Sequence, residues 1–306
     1  MRVLILNHPY KECGVYQFAK RLFDLVSCSD KIEYWYTEVE SRDAYLFALR
    51  EVVPDFVVYN WHWDRMPWLQ ESDMRNRAVK HYFIYHDGSM VNTYDKYLFF
   101  GGLDPTNQKI PPAKSVLLPR PLLQYNGVYP VNSYITIGSF GFPAHYKQFP
   151  ALVKMINRNF SAAKINLHIS RPYFGDKPGC SMQDIITRCY RNNTKPGVEL
   201  RITTQFVSDD ELLTFLAGND INVFFYSETG NPGLSSALDY ALSVRRPIAL
   251  TNVMMLRHVY MPEIDMKKKS LLNILYHGIR PLEKFYHQWY PEKLVQAMNN
   301  LFLEAA

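Results

Sequence analysis

Residues 223–251 read VFFYSETGNPGLSSALDYALSVRRPIALT, and the order of residue types in this stretch decides the fold. VFFY is a short apolar run of β-branched and aromatic side chains, suited to a parallel strand covered on both faces. Residues 228–233, ETGNPG, can extend neither a strand nor a helix, so the chain turns there. From Ser235 onward, Ala237, Leu238, Ala241, Leu242 and Val244 recur at helical spacing, and Pro247 stops the helix before PIAL opens a second strand. The product is a β-loop-α-β unit whose loop lies outside the carboxyl ends of the strands, where open α/β sheets bind ligands. Ser235 and Ser236 set hydroxyls beside unpaired backbone N–H groups at the positive end of the helix. That arrangement suits a phosphate group or a simple N-cap.

Working outward, the same grammar repeats on both sides. Residues 3–6 form a buried strand, and a loop ending at Gly14 leads into an amphipathic helix over 15–26 through Val15, Phe18, Ala19, Leu22, Phe23 and Val26. Strands are expected at 32–37, 55–59, 80–85 and 115–118, with a helix over 42–51. The strand at 55–59 delivers Asn60-Trp61-His62-Trp63-Asp64 to its carboxyl end, where the two tryptophans either stack on a sugar or base or form a packed aromatic corner. The strand at 80–85 delivers His86-Asp87-Gly88 to the same edge. Prolines between 119 and 130 interrupt both periodicities and mark a linker.

After the linker the pattern starts again, with a strand at 134–137, a glycine turn at 138–142 and Lys147 ahead of a helix over 149–160. Strands follow at 165–169 and 199–203. Ser208 and Glu211 form a capping box before an apolar helix, and a last helix spans 291–304. Two successive β/α halves predict an α/β protein of two domains, residues 1–125 and 126–288, with 289–306 as the closing helix.

Composition bounds the chemistry. Across 306 residues, 47% hydrophobic and 15% aromatic content allows two sizeable cores and argues against disorder. A net charge of +5 and a pI near 8.8 favour anionic ligands, and permit nucleic acid or a membrane surface. Cys13, Cys28, Cys180 and Cys189 show neither zinc-site spacing nor a disulfide framework, which points to free thiols in a reducing cytoplasm and to no metal site. No apolar run approaches the roughly 18 residues of a membrane span, and no signal stretch follows Met1.

The segment at 223–251 resembles the donor-binding element of retaining GT-B glycosyltransferases, in which a strand runs into a glutamate, a glycine loop, a helix and a "GRPV"-like turn. The resemblance implies two Rossmann-like domains facing a cleft, with the closing helix crossing back to the first. It implies that Glu228 and His86 act at the reaction centre. Gly14, Gly141, Lys147, Arg171, Phe206, Val207, Ser235 and Ser236 would then bind the donor. Tyr240, with Asp239 adjacent, stands where the family keeps a second glutamate, and Phe142 stands where it keeps a diphosphate arginine. Trp61, His62, Trp63 and Asp87 are expected on the acceptor.

The implied reaction moves a hexosyl or pentosyl group from a nucleotide-diphosphate sugar, such as a UDP-sugar, to an acceptor hydroxyl with retention and without a cofactor or metal. The acceptor is a glycan, a small molecule or a modified base of DNA, the last prompted by basic charge and aromatic residues. A nucleotide-sugar-binding protein without catalysis is the reading from another class, prompted by Tyr240 and Phe142.

Overall fold

The computed structural model describes residues 1–306 except 63, 75–77, 85, 87–115, 172–180, 231, 232 and 306. The chain divides into two compact units. One comprises Met1–Pro121, Pro232–Leu234 and Gln288–Ala306, the other Leu122–Asn231 and Ser235–His287.

In the first unit, β1 (Arg2–Asn7), β2 (Glu33–Glu38), β3 (Phe56–Tyr59) and β4 (Lys80–Phe83) form a parallel sheet in the order β2-β1-β3-β4. Helices α1 (Gly14–Val26) and α2 (Arg42–Val52) connect them. Val3, Leu4, Ile5 and Leu6 are fully buried, as are Val57, Val58 and Tyr59, because both faces of a parallel sheet are covered. The chain builds outward from β1 to β2 and then returns to the other side of β1. That reversal opens a crevice at the carboxyl ends of β1 and β3.

The last helix, α9 (Pro291–Ala305), belongs to this unit. Leu294, Met298 and Phe302, spaced by four residues, bury one stripe of it completely. The Phe302 ring meets Phe56, Tyr82 and Tyr34 at centroid separations of 5.1, 5.3 and 6.2 Å.

The second unit repeats the plan with β5 (Thr136–Gly141), β6 (Ala163–Ile169), β7 (Val198–Thr203), β8 (Ile221–Phe224) and β9 (Ile248–Leu250), all parallel in the order β7-β6-β5-β8-β9. Its helices are α3 (Phe149–Asn159), α4 (Met182–Asn192), α5 (Asp209–Ala217), α6 (Ala237–Ser243), α7 (Leu271–His277) and α8 (Glu283–Gln288). Here the reversal lies between β5 and β8. Ser208 and Glu211 form the expected capping box at the start of α5.

The structure departs from the sequence expectations at several points. The expected glycine turn at 138–142 is mostly strand, since β5 continues to Gly141. Gly138 is needed because the Asn219 carboxamide fills the space a Cβ would take, not because a phosphate approaches there. The strand foreseen at 80–85 ends at Phe83, and residues 116–118 join no ladder. Helix α6 begins at Ala237 with Ser236, not Ser235, at the N-cap, and no side chain caps it. Helix α4 went unforeseen because polar and charged residues dominate it and only Ile185 and Cys189 are buried.

Candidate functional site

At the crevice of the first sheet, the residues at the carboxyl ends of β1 and β3 are polar and tied together. Asn60 Nδ2 donates to Asn7 Oδ1 at 2.8 Å and to the Val15 carbonyl at 2.8 Å. Asn7 Nδ2 in turn donates to the Tyr16 carbonyl and to the Tyr36 hydroxyl, at 3.0 and 2.9 Å. This network leaves the Asn60 carboxamide oxygen to accept from His86 Nε2, 2.6 Å away. His86 therefore carries its proton on Nε2, and Nδ1 keeps a lone pair. Burial, then the Arg120 charge, lowers the His86 pKa to about 3, so the ring is neutral at physiological pH.

A second histidine stands beside it. His8, fully buried just beyond β1, accepts the Tyr10 N–H on Nδ1 at 3.2 Å and packs edge-on to His62, with centroids 6.1 Å apart. Burial, with His62 and Arg65 nearby, lowers its pKa to about 4. Three strands thus deliver His8, His62 and His86 to one edge. Asn7, His8, Asn60 and Arg120 are not among the site residues expected from the sequence, although the rule that ligands meet the carboxyl ends of the switch-point strands selects the first three.

Of the expected acceptor residues, His62 sits in this group, with its Nδ1 accepting the Asp64 N–H at 3.2 Å. Trp61 is a correction: it is buried and packs edge-on against Phe83 at 6.3 Å, so its ring serves the core and presents no stacking platform. Trp63 and Asp87 lie outside the described residues. Gly14 is the first residue of α1, and Cys13 before it provides no side-chain cap.

At the crevice of the second sheet the character changes. Lys147 ends a 3-10 turn, His145–Lys147, and is buried. Its ammonium lies 5.7 Å from the Phe142 ring centroid and 5.8 Å from that of Tyr226, and no described carboxylate pairs with it. Burial alone lowers its pKa to about 7. Gly141 has φ of +139°, and the Lys147 side chain occupies the place of the missing Cβ. The glycine is therefore required twice, by backbone and by lysine.

The loop after β8 is stitched to this turn by the Ser227 N–H, which donates to the Tyr146 carbonyl at 2.7 Å. Glu228 then organises the loop from an exposed position. Its Oε1 accepts the Thr229 and Gly230 N–H groups and its Oε2 the Met254 N–H, each at 2.9 Å, which holds its pKa below the usual carboxylate range. The loops after β5, β8 and β9 thus converge. Ser235 is buried, its hydroxyl beside the Tyr226 phenol, whose pKa burial raises. The expectation that the Ser235 N–H greets an anion is overturned, because that group donates to the Met255 carbonyl at 2.9 Å.

The remaining expected donor residues spread around this centre. Tyr240 points into the fold, donating its hydroxyl to Asp209 Oδ1 at 2.7 Å, and Asp239 beside it is fully buried. Both lie inside the unit because all seven residues of α6 are buried. Arg171 follows β6 and its N–H donates to the Thr204 carbonyl. Phe206, half exposed, and Val207 follow β7.

This architecture has solved counterparts. HepE from Anabaena, determined with UDP and glucose, matches at a TM-score of 0.65 and 9% identity over 99% of this chain and 100% of that one. Sucrose-phosphate synthase from Thermosynechococcus elongatus matches at 0.70 and 10% identity over 100% and 99%. The fold is that of the GT-B glycosyltransferases. A further GT-B structure, the lipopolysaccharide outer core galactosyltransferase WaaB, matches at 0.56 and 12% identity over the full length of both chains. The sequence itself matches no protein-family model and no curated protein.

Proposed function

We propose that this chain is a glycosyltransferase that moves a sugar from a nucleotide-diphosphate sugar to an acceptor hydroxyl, with retention of anomeric configuration. Lys147 carries the reading: a buried ammonium without a described counter-ion, at the reversal point of a GT-B donor-side sheet. An unpaired buried cation is costly, and an anionic ligand offsets that cost. The HepE structures with UDP and with UDP-glucose support a nucleotide diphosphate as that anion.

In this mechanism Lys147 holds the diphosphate and stabilises the charge that grows on it as the bond to the anomeric carbon breaks. Glu228 orients the sugar. Three backbone N–H groups occupy part of its acceptor capacity, and Oε2, with a single N–H on it, retains a lone pair for a sugar hydroxyl. His86 accepts a hydrogen bond from a substrate hydroxyl through Nδ1. The acceptor oxygen bonds to the anomeric carbon, its proton passes to the departing phosphate, and the nucleoside diphosphate leaves. No cofactor beyond the donor is invoked. We assign the reaction to the cytoplasm, where the free thiols of Cys13, Cys28 and Cys189 persist.

The test is a panel of UDP-glucose, UDP-galactose, UDP-N-acetylglucosamine and GDP-mannose, scored by melting temperature and by chromatography of released nucleotide. One donor should raise the melting temperature and be slowly hydrolysed without acceptor, and Lys147→Ala should lose both effects. No shift with any donor overturns the proposal. A shift without nucleotide release points instead to a binding protein.

A further inference from the structure

The second unit also contains a cavity of about 340 Å³ that the donor-side cluster does not use. His145, Gln148, Lys154, Arg188, Arg191 and Asn192 line it, between the entry to α3 and the exposed face of α4, and no Asp or Glu does. Lys147 is not part of the lining. The two helices carry Lys154, Arg158, Arg188 and Arg191 against one acid, Asp184. Among the described residues Lys154, Arg188 and Arg191 form no ion pair.

Such a cluster is unfavourable by itself. Like charges three and four residues apart on a helix, or facing one another across a groove, repel. The frame is tied together: Asn192 Nδ2 links α4 to the Pro150 carbonyl at 2.8 Å, and Gln148 Nε2 links its own turn to the His145 carbonyl at 2.8 Å. No side chain caps the first turn of α3, which opens on the same cavity. Guanidinium forks and an ammonium are the side chains that bind phosphate, and the amides and imidazole suit the polar body attached to it. The volume falls at the small end of ligand pockets.

We propose that this cavity binds a phosphorylated small molecule, with Arg188, Arg191 and Lys154 on the phosphate, at a site separate from the one that holds the donor.

The test is calorimetric titration of inorganic phosphate and of glucose 6-phosphate, at matched chloride, into the wild type, Lys147→Ala, and the double variant Arg188→Gln with Arg191→Gln. Both arginines are exposed, so the double variant keeps its fold. Glucose 6-phosphate should bind the wild type and Lys147→Ala equally, and each arginine lost should weaken it on the order of tenfold. Phosphate alone should bind at the same place more weakly. Binding that survives in the double variant but is lost in Lys147→Ala means the probe sits in the donor site, and overturns the proposal. So does the absence of binding at millimolar probe. A duplex oligonucleotide that binds through the same arginines while both phosphates fail would replace the small molecule by a polyanion. Binding of the donor itself is read separately, by the nucleotide-sugar panel.

Discussion

At the carboxyl edge of the first sheet, Asn7 and Asn60 join hands and hold a neutral His86. At the equivalent edge of the second, Lys147 sits against aromatic rings and a glycine, without a carboxylate among the described residues. The two units share a plan, a parallel sheet that reverses beside its first strand, but they fill the crevice differently: the first ties amides and neutral imidazoles together beside the buried Arg120, the second buries an ammonium against aromatic rings. Side-chain amides tied to one another present directional hydrogen bonds. A desolvated ammonium is unsatisfied until an anion arrives. On the proposed mechanism the same fold offers one edge to hydroxyls and one to phosphate.

The sharpest way to break this contrast is Lys147→Met. On the proposed mechanism it should lower turnover by about 10²–10³-fold, the usual loss when a main electrostatic donor is removed. It should also raise the melting temperature of the ligand-free protein, because a buried charge is replaced by an apolar chain of similar length. The Lys147 pKa falls from 10.5 to about 7 on folding, so between these values the unfolded chain binds more protons and stability rises with pH. The gain from the methionine should therefore be larger at pH 6 than at pH 9. Thermal melts at both pH values check the sign.

Asn60→Ala attacks the other edge. With the Nε2–H of His86 unanchored, turnover should fall by about 10²-fold through misplacement, while nucleotide affinity holds. Titration of the variant against steady-state kinetics separates the two, and a loss of nucleotide affinity would show that the edges are not divided as described. Gly141→Ala should cost about 1–3 kcal/mol through its backbone conformation, and should also weaken donor binding by displacing Lys147, measurable by denaturant melts and titration.

A pH dependence sharpens the comparison further. His8 and His86 have pKa values lowered from 6.5 to about 4 and about 3, so below pH 6.5 the unfolded chain takes up protons that the folded one refuses. Stability should fall as pH drops from about 6.5 toward 4, and His8→Phe should flatten that slope in melts across the range. The smallest effect is expected for Tyr240→Phe, which removes one hydrogen bond to Asp209 and costs about 1 kcal/mol. Its nucleotide affinity should not change, whereas a clear loss of affinity would return this tyrosine to the donor site.

Much of the fold was legible in the sequence because its signals are local. Apolar runs such as VLIL and FVVY, the Ser208–Glu211 capping box and the helical spacing from Ala237 each involve residues a few positions apart. Expectation and structure parted where a distant group intervened. Gly138 read as a turn glycine, yet it lies in a strand opposite an asparagine 81 positions later (219 − 138). Trp61 read equally as platform or corner, and Phe83 decided for the corner. Ser235 read as an anion donor until the Met255 carbonyl took its N–H.

By itself, then, the amino-acid order determined the alternation of strand and helix, the parallel sheets and the fold they build, since periodicity, caps and breakers act within a turn or two of the backbone. The tertiary structure alone decided which groups share an edge: Asn7 with Asn60 and His86, Lys147 with Gly141 and Tyr226, Glu228 with Met254. Most of these partners lie tens of residues apart. They meet because parallel pairing with long crossovers brings the carboxyl ends of separate strands to one line, and no local pattern records that meeting.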